Sequence, residues 1–165
     1  MLRLTFVSEP RQAKVSLSKS DNHRCWRSRG NVDLPVGDVD LQGWSRTGQT
    51  AHPDQCFPVM GLHPCHVGED FSEALTEVEH LLRTRSYCAV GEIGIDLYWD
   101  KTWLKQQQDT FRRQVRWAKE LRLPIVIHCR ESFEGTITIV EEEKDENLRG
   151  VFHCFSGTAE EGRRI

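Results

Sequence analysis

Three polar side chains follow directly after short apolar runs, where a functional site accounts for a polar residue better than core packing does. They are Glu92 after Ala-Val-Gly, His128 after Ile-Val-Ile and His153 after Val-Phe. Because the carboxyl ends of parallel strands meet at one face, we expect these side chains to lie close together. One carboxylate and two imidazoles form a ligand set for Zn, Mn or Fe, and less readily for Mg. A hydrogen-bonded core histidine is the alternative for any one of them, but three matching positions favour metal ligands.

A second group of candidate ligands is His63, Cys65 and His66. Its spacing matches no closed four-ligand zinc site, so we interpret His63 as part of a loop that faces the same pocket. Tyr98 and Trp99 follow Glu92 closely, and one interpretation is that they line a substrate groove.

Alternating helices and strands are needed to position these side chains. Asp70 is a candidate N-cap with Glu73 three residues later, and Pro124 ends the longest helical stretch. The order β-α-β-α-β-α-β with apolar strands predicts an α/β fold with parallel pairing. The predicted strands are 56–62, 87–90, 124–127 and 150–152, and the predicted helices begin near 70, span 102–121 and span 133–143.

Residues 1–50 do not continue this pattern, and we divide the chain into an atypical segment 1–50 and a domain 51–165. Basic side chains outnumber acidic ones in the segment, and its apolar residues follow no strand or helix period. A transit peptide, a divergent first βα unit and disordered or frame-shifted sequence are the three interpretations, of which we favour the last.

Composition restricts the functions that the chain can have. Its 165 residues carry a net charge of −3, so nucleic-acid chemistry would have to come from a local site rather than a basic surface. No apolar run reaches the ~20 residues of a membrane span, and we expect no membrane association. The six cysteines contain no C-x-x-C pair and follow no secretory signal, which predicts reduced thiols and a cytoplasmic protein.

Four blocks resemble, in order and spacing, the TatD family of metal-dependent hydrolases. They are Met-Gly-Leu-His-Pro at 60–64, Val-Gly-Glu-Ile-Gly-Ile-Asp at 90–96, Leu-Pro-Ile-Val-Ile-His-Cys-Arg at 123–130 and Val-Phe-His-Cys-Phe-Ser-Gly at 151–157. Gln107, Phe111, Gln114 and Ala118 also resemble the family's helix between the second and third blocks. The resemblance implies a TIM-type (β/α) barrel related to amidohydrolases. A complete barrel needs about 250 residues, so we expect a partial barrel with parallel strands, truncated at the C-terminus.

The same resemblance implies roles for particular residues. Glu92 resembles the family's metal-bridging carboxylate, and His128 and His153 resemble metal ligands. His63 resembles the pocket histidine that contacts substrate phosphate, which makes Glu92 and His63 the catalytic candidates. The implied cofactors are divalent ions (Mg²⁺, Mn²⁺ or Zn²⁺), two of them in a complete member. Arg130 and Ser156 are weaker candidates on the same face.

The implied activity is metal-dependent hydrolysis of DNA phosphodiester bonds, as an exonuclease. The family's first-strand His-x-His pair has no counterpart in residues 1–50, and its later-strand aspartate would lie beyond Ile165. A non-catalytic fragment is therefore one alternative, and an enzyme acting on a small ester or amide is another. DNA is the expected partner as substrate, no obligate protein partner is evident, and exposed barrel edges predict self-association.

Overall fold

A single five-stranded sheet organises the part of the chain that the computed structural model describes, residues 25–27 and 56–165. The strands lie side by side in chain order, and β2 to β5 pair in parallel, as predicted. The first strand was not predicted, and it pairs with β2 in the antiparallel sense. The strands are β1 (Cys25–Arg27), β2 (Cys56–Met60), β3 (Ala89–Asp96), β4 (Ile125–Arg130) and β5 (Gly150–Phe152).

Helices connect the parallel strands, as a βαβ arrangement requires. A 3₁₀ turn, Pro64–His66, follows β2, and the α-helices are α1 (Phe71–Thr84), α2 (Leu104–Leu121), α3 (Phe133–Glu143) and α4 (Ala159–Arg164). The bounds of α3 and β5 agree with the prediction, whereas α4 was not predicted. Asp70 is the N-cap of α1, but its side chain makes no capping hydrogen bond.

The sheet has two apolar faces of unequal size. Met60, Val90 and Phe152 belong to the main core with the helices, and Ile93 and Ile95 extend that face along β3. A smaller cluster, Val59, Ala89 and Val126 with Val151 packed against it, lies on the opposite face because side chains alternate along a strand. The main core therefore forms between the sheet and α1, α2 and α3.

A bulge in β3 decides which face receives Glu92. Gly91 pairs with Val126 and Ile93 pairs with Ile127, so Glu92 is an extra residue in the ladder. Strict alternation would send Glu92 to the helix face with Val90. The inserted residue instead restores Ile93 to the helix face and leaves Glu92 on the opposite face, beside His128.

The sequence placed Glu92 and His128 after their strands, and this was wrong. Both lie inside longer strands, because β3 continues to Asp96 and β4 continues to Arg130. The apolar runs stop earlier than the strands, since alternate residues in the last part of each strand face the polar site. His153 does follow β5 directly.

Most of the atypical segment 1–50, including the strand-like stretch 34–41, lies outside the described residues, so the division at residue 50 stays a prediction. In the part of the chain described, no helix combines the length and apolar character of a membrane span.

Candidate metal centre

Glu92 is the centre of a cluster of nitrogen and oxygen donors. Its side chain is buried, and its Oε1 lies 3.0 Å from Nδ1 of His128 and 3.2 Å from Nδ1 of His153. The two imidazoles are about one-fifth exposed, so they close the site while remaining reachable from solvent. The structure thus brings together the three side chains that the strand positions predicted to meet.

His63 completes the cluster from the loop that follows β2. Its Nε2 lies 3.2 Å from Nδ1 of His128, and the two rings meet edge to face. The backbone N–H of Cys65 donates to Nδ1 of His63, since His63 is the N-cap of the 3₁₀ turn. This hydrogen bond fixes the ring and occupies one of its two nitrogens.

Asp96 belongs to the site, and sequence reasoning gave it no role. Its Oδ2 accepts a hydrogen bond of 2.7 Å from Nε2 of His128, while its Oδ1 accepts one from the N–H of Tyr98. Asp96 is 3% exposed and stands at the end of β3. An acidic residue at a strand end, two positions after Gly94, was the available signal. A carboxylate that receives the second N–H of an imidazole leaves the first nitrogen directed into the site.

The electrostatics of His128 and Asp96 depend on each other. Burial lowers the pKa of His128, but its hydrogen bonds with Glu92 and Asp96 outweigh burial and raise the pKa above the ordinary value. Burial likewise raises the pKa of Asp96, yet the hydrogen bonds from His128 and Tyr98 outweigh it and the pKa is lowered. The two carboxylates therefore favour the protonated form of His128.

Two buried glutamines of α2 hold the backbone on which the site is built. Gln114 accepts from the N–H of Leu62 (2.6 Å) and donates to its carbonyl (3.2 Å), next to His63. Gln107 makes the same pair of bonds with the backbone of Asp96. Residues 107, 111, 114 and 118 share one buried face of α2, and two of them are glutamines. A buried amide needs hydrogen-bond partners, so these glutamines were the sequence signal for this role.

Gly94 allows β3 and β4 to approach closely beside the cluster. It pairs with His128 and has a φ of 144°, a region that favours glycine. A Cβ at this position would collide with the carbonyl oxygen of His128. The position of His128 therefore depends on the absence of a side chain at residue 94.

The remaining candidate residues lie at the edge of the Glu92 cluster or outside it. Arg130 ends β4 with its guanidinium 3.6 Å from the ring centroid of Tyr98, whereas Ser156 is exposed in the loop before α4, with no described contact to the cluster. Because side chains alternate along a strand, Cys129 and Cys154, each next to a site histidine, are predicted to face away from the site and to be buried. Cys129 does face the main core, but the prediction for Cys154 was wrong: it is exposed, because the chain turns at a φ of 48° after β5. Cys65 stands beside Asp96, and burial together with that carboxylate raises the pKa of its thiol to about 11.

The donors present fit a divalent cation. One donor atom each from His63, Glu92 and His128 lies within 4.8 Å of the other two. Imidazole nitrogen and carboxylate oxygen are ligands that Zn²⁺ and Mn²⁺ accept. This geometric set and the predicted set share Glu92 and His128 and differ in whether His63 or His153 is the third member.

Known proteins resemble this chain in both sequence and fold. It is 38% identical over 110 residues to the uncharacterized metal-dependent hydrolase YabD of Bacillus subtilis (strain 168), a match covering 67% of this chain and 43% of that protein. It is 36% identical over 110 residues to the 3'-5' ssDNA/RNA exonuclease TatD of Erwinia tasmaniensis, covering 67% and 42%. The chain thus spans less than half the length of these curated relatives.

The fold comparison agrees. The crystal structure of YJJV, a TatD homolog from Escherichia coli K12, superposes with a TM-score of 0.66 at 25% identity, covering 77% of this chain and 50% of that one. This match confirms the predicted partial barrel with parallel strands. The family model of TatD-related DNases matches residues 14–165. A match over so much of the chain shows that it belongs to the TatD-related DNase family.

Proposed function

We propose that this chain forms part of a metal-dependent site that hydrolyses phosphodiester bonds of nucleic acid, in DNA and from a strand end. The observation that carries the proposal is the buried Glu92 with three imidazoles around it, on the sheet face opposite the helices. The strand-end preference rests on the Erwinia relative, whose name describes a 3'-5' exonuclease.

Glu92, His128 and His153 would hold the cation. Nε2–H of His128 donates to Asp96, so loss of the proton on Nδ1 would leave a lone pair directed toward Glu92 and the site. Nδ1 of His153 faces the same carboxylate oxygen. A bound divalent cation would supply charge stabilisation for the phosphate and lower the pKa of a nearby water.

His63 has a different role from the ligands. Because the Cys65 N–H occupies its Nδ1, the neutral ring carries its proton on Nε2. That N–H is directed into the cluster, toward Nδ1 of His128. With His128 neutral and its Nδ1 turned to a bound cation, the His63 N–H would be available to donate to a phosphate oxygen. In the hydrolysis, a water oxygen bonds to phosphorus, the bond from phosphorus to the leaving oxygen breaks, and the water proton ends on that oxygen.

The weak net charge of the chain suits this arrangement. With a net charge of −3, the chain has no general attraction for nucleic acid, and binding would depend on local contacts at the site. The Glu92 and Asp96 carboxylates would repel a phosphate unless positive charge neutralised them, which ties substrate binding to the cation.

The first test is metal binding by calorimetry with Mn²⁺ or Zn²⁺ on the intact chain. Wild type should bind, while His128→Ala and His153→Ala should lose at least about tenfold in affinity, and His63→Ala should lose less. A larger loss in His63→Ala than in His153→Ala would assign the third ligand to His63 instead. No binding by the wild type would favour the non-catalytic alternative.

The second test is hydrolysis of a 5′-labelled single-stranded oligodeoxynucleotide with Mn²⁺, compared with Glu92→Gln, which keeps the shape but removes the charge. Glu92→Gln should lose most of the activity. Unchanged activity in this variant would exclude Glu92 from the reaction. Cleavage of p-nitrophenyl acetate without cleavage of DNA would favour the ester-hydrolase alternative.

A further inference from the structure

An exposed aromatic group borders the Glu92 cluster, and the hydrolysis does not use it. We call this group the aromatic rim: Tyr98, Trp99 and Arg130. Trp99 is 74% exposed and Tyr98 is 46% exposed, and their rings meet edge to face at 4.7 Å. The Arg130 guanidinium lies 3.6 Å from the Tyr98 centroid and 5.7 Å from that of Trp99.

The rim is joined to the site by both central strands. The backbone N–H of Tyr98 donates to Oδ1 of Asp96, whose other oxygen contacts His128. Arg130 is two residues beyond His128 on β4, opposite Asp96 in the backbone ladder between β3 and β4. Since side chains alternate along a strand, Arg130 lies on the same sheet face as His128. Its charge also acts on the thiol of Cys65, next to His63.

Packing does not explain the rim. Leu97, between Asp96 and Tyr98, packs against the main core, whereas the next two side chains turn to solvent. Within residues 56–165 no ion pair joins Arg130 to a carboxylate, although several surface arginines form them. Aromatic faces hold the guanidinium in place and leave its charge uncompensated.

We propose that the aromatic rim binds an unpaired nucleobase of a single-stranded nucleic acid, next to the phosphate at the Glu92 cluster. The base stacks on Trp99, and Arg130, which lies over the Tyr98 ring, contacts the adjoining phosphate. A base in a duplex already has both faces stacked, so the rim selects single strands. The inference rests on the proposed function and adds a specificity-determining subsite to it.

The experiment measures binding of a fluorescein-labelled oligothymidylate by anisotropy, with Ca²⁺ present, beside an abasic oligomer with the same number of phosphates. Wild type should prefer the base-bearing oligomer. Trp99→Ala should raise its Kd by about 5- to 100-fold and should change the Kd of the abasic oligomer little. Trp99→Phe should restore most of the affinity, because a flat aromatic face remains.

Phe57→Ala is the matched control, since Phe57 is also an exposed aromatic residue, on β2. It should leave both Kd values unchanged. The proposal is overturned if Trp99→Ala affects both oligomers equally, if it affects neither, if wild type binds neither oligomer, or if a duplex of the same length binds as tightly as the single strand.

The rim and the proposed function fail in distinguishable ways. Hydrolysis of bis(p-nitrophenyl) phosphate without a preference for base-bearing oligomers would overturn the rim alone. A preference for bases that depends on Trp99, without hydrolysis of any phosphodiester, would overturn the proposed function alone.

Discussion

Two groups of charged side chains on this molecule use similar residues under different conditions. At the surface, Arg112 of α2 pairs with Glu142 of α3 at 2.7 Å, and Arg83 of α1 pairs with Glu120 of α2 at 2.9 Å. In the Glu92 cluster, buried carboxylates and half-buried imidazoles contact each other at 2.7–3.2 Å.

The difference teaches how burial changes what an ion pair does. At the surface, water solvates each partner, so a pair contributes little and its loss is tolerated. In the cluster, each charge depends on its neighbours for compensation. The carboxylates favour a proton on His128, and a bound cation would supply the same compensation. The cluster should therefore bind a cation, whereas the surface pairs should not.

Removing His128 should break this contrast most strongly. His128→Ala leaves the carboxylates of Glu92 and Asp96 buried without the imidazole that contacts both, and should lower the free energy of unfolding by about 3 kcal/mol. Urea denaturation in EDTA near neutral pH measures it. His80→Ala, at an exposed histidine of α1, is the control and should change nothing. Equal effects in the two variants would contradict the contrast.

A methyl group at residue 94 should have the next largest effect. Gly94→Ala forces a Cβ against the His128 carbonyl and keeps an unfavourable φ, which should cost about 2–3 kcal/mol. Gly135→Ala on α3 is the matched control, because its Cβ would meet Ile95 at 3.6 Å, an ordinary contact. The control should stabilise the helix by about 0.5–1 kcal/mol. Thermal unfolding measures the melting temperatures of the two variants, and similar values would contradict the prediction.

Neutral buried contacts should rank below these. Gln114→Ala leaves the N–H and C=O of Leu62 without their hydrogen bonds and should destabilise the chain by about 2 kcal/mol. Gln106→Ala, on the same helix but outside the buried set, is the comparison and should cost far less. If both variants unfolded at the same urea concentration, Gln114 would not hold the loop before His63.

The pH should modulate the cluster more gently. The pKa of His128 is raised in the folded chain, so its contribution to stability is fully present below the unfolded value of 6.5 and is lost as the pH rises through the folded pKa. The free energy of unfolding without metal should therefore fall as the pH rises above the unfolded value of 6.5. Metal affinity should rise over the same window as the proton leaves. The stability change should be absent in His128→Ala, and a rise in wild-type stability would contradict the assignment.

The surface pairs should give the smallest effect. Arg83→Ala removes the partner of Glu79 and Glu120, and water reaches all three side chains. We expect no measurable shift in the urea midpoint, in low salt or in 1 M NaCl, since solvent replaces the lost pair. A loss comparable with that of Gln114→Ala would show that burial is not the deciding variable.

Much of this architecture could be predicted because apolar runs and helix periodicity are local signals. The bounds of α3 and β5, and the meeting of Glu92, His128 and His153, followed from them. The bulge at Glu92 could not be predicted, since it depends on the register between two strands. Asp96 was missed because its partner, His128, is distant in sequence. The burial predicted for Cys154 was wrong because the backbone turns at this residue, so strand alternation does not apply to it.

The thiol of Cys65 bears on which metals the site can tolerate. A thiolate beside an imidazole and a carboxylate would attract soft ions such as Cu(I) and Cd²⁺. With a pKa of about 11, this thiol keeps its proton at neutral pH and offers no thiolate. Burial and the carboxylate that orients His128 thus keep this thiol protonated, and a thiophilic metal would have to displace that proton in order to bind.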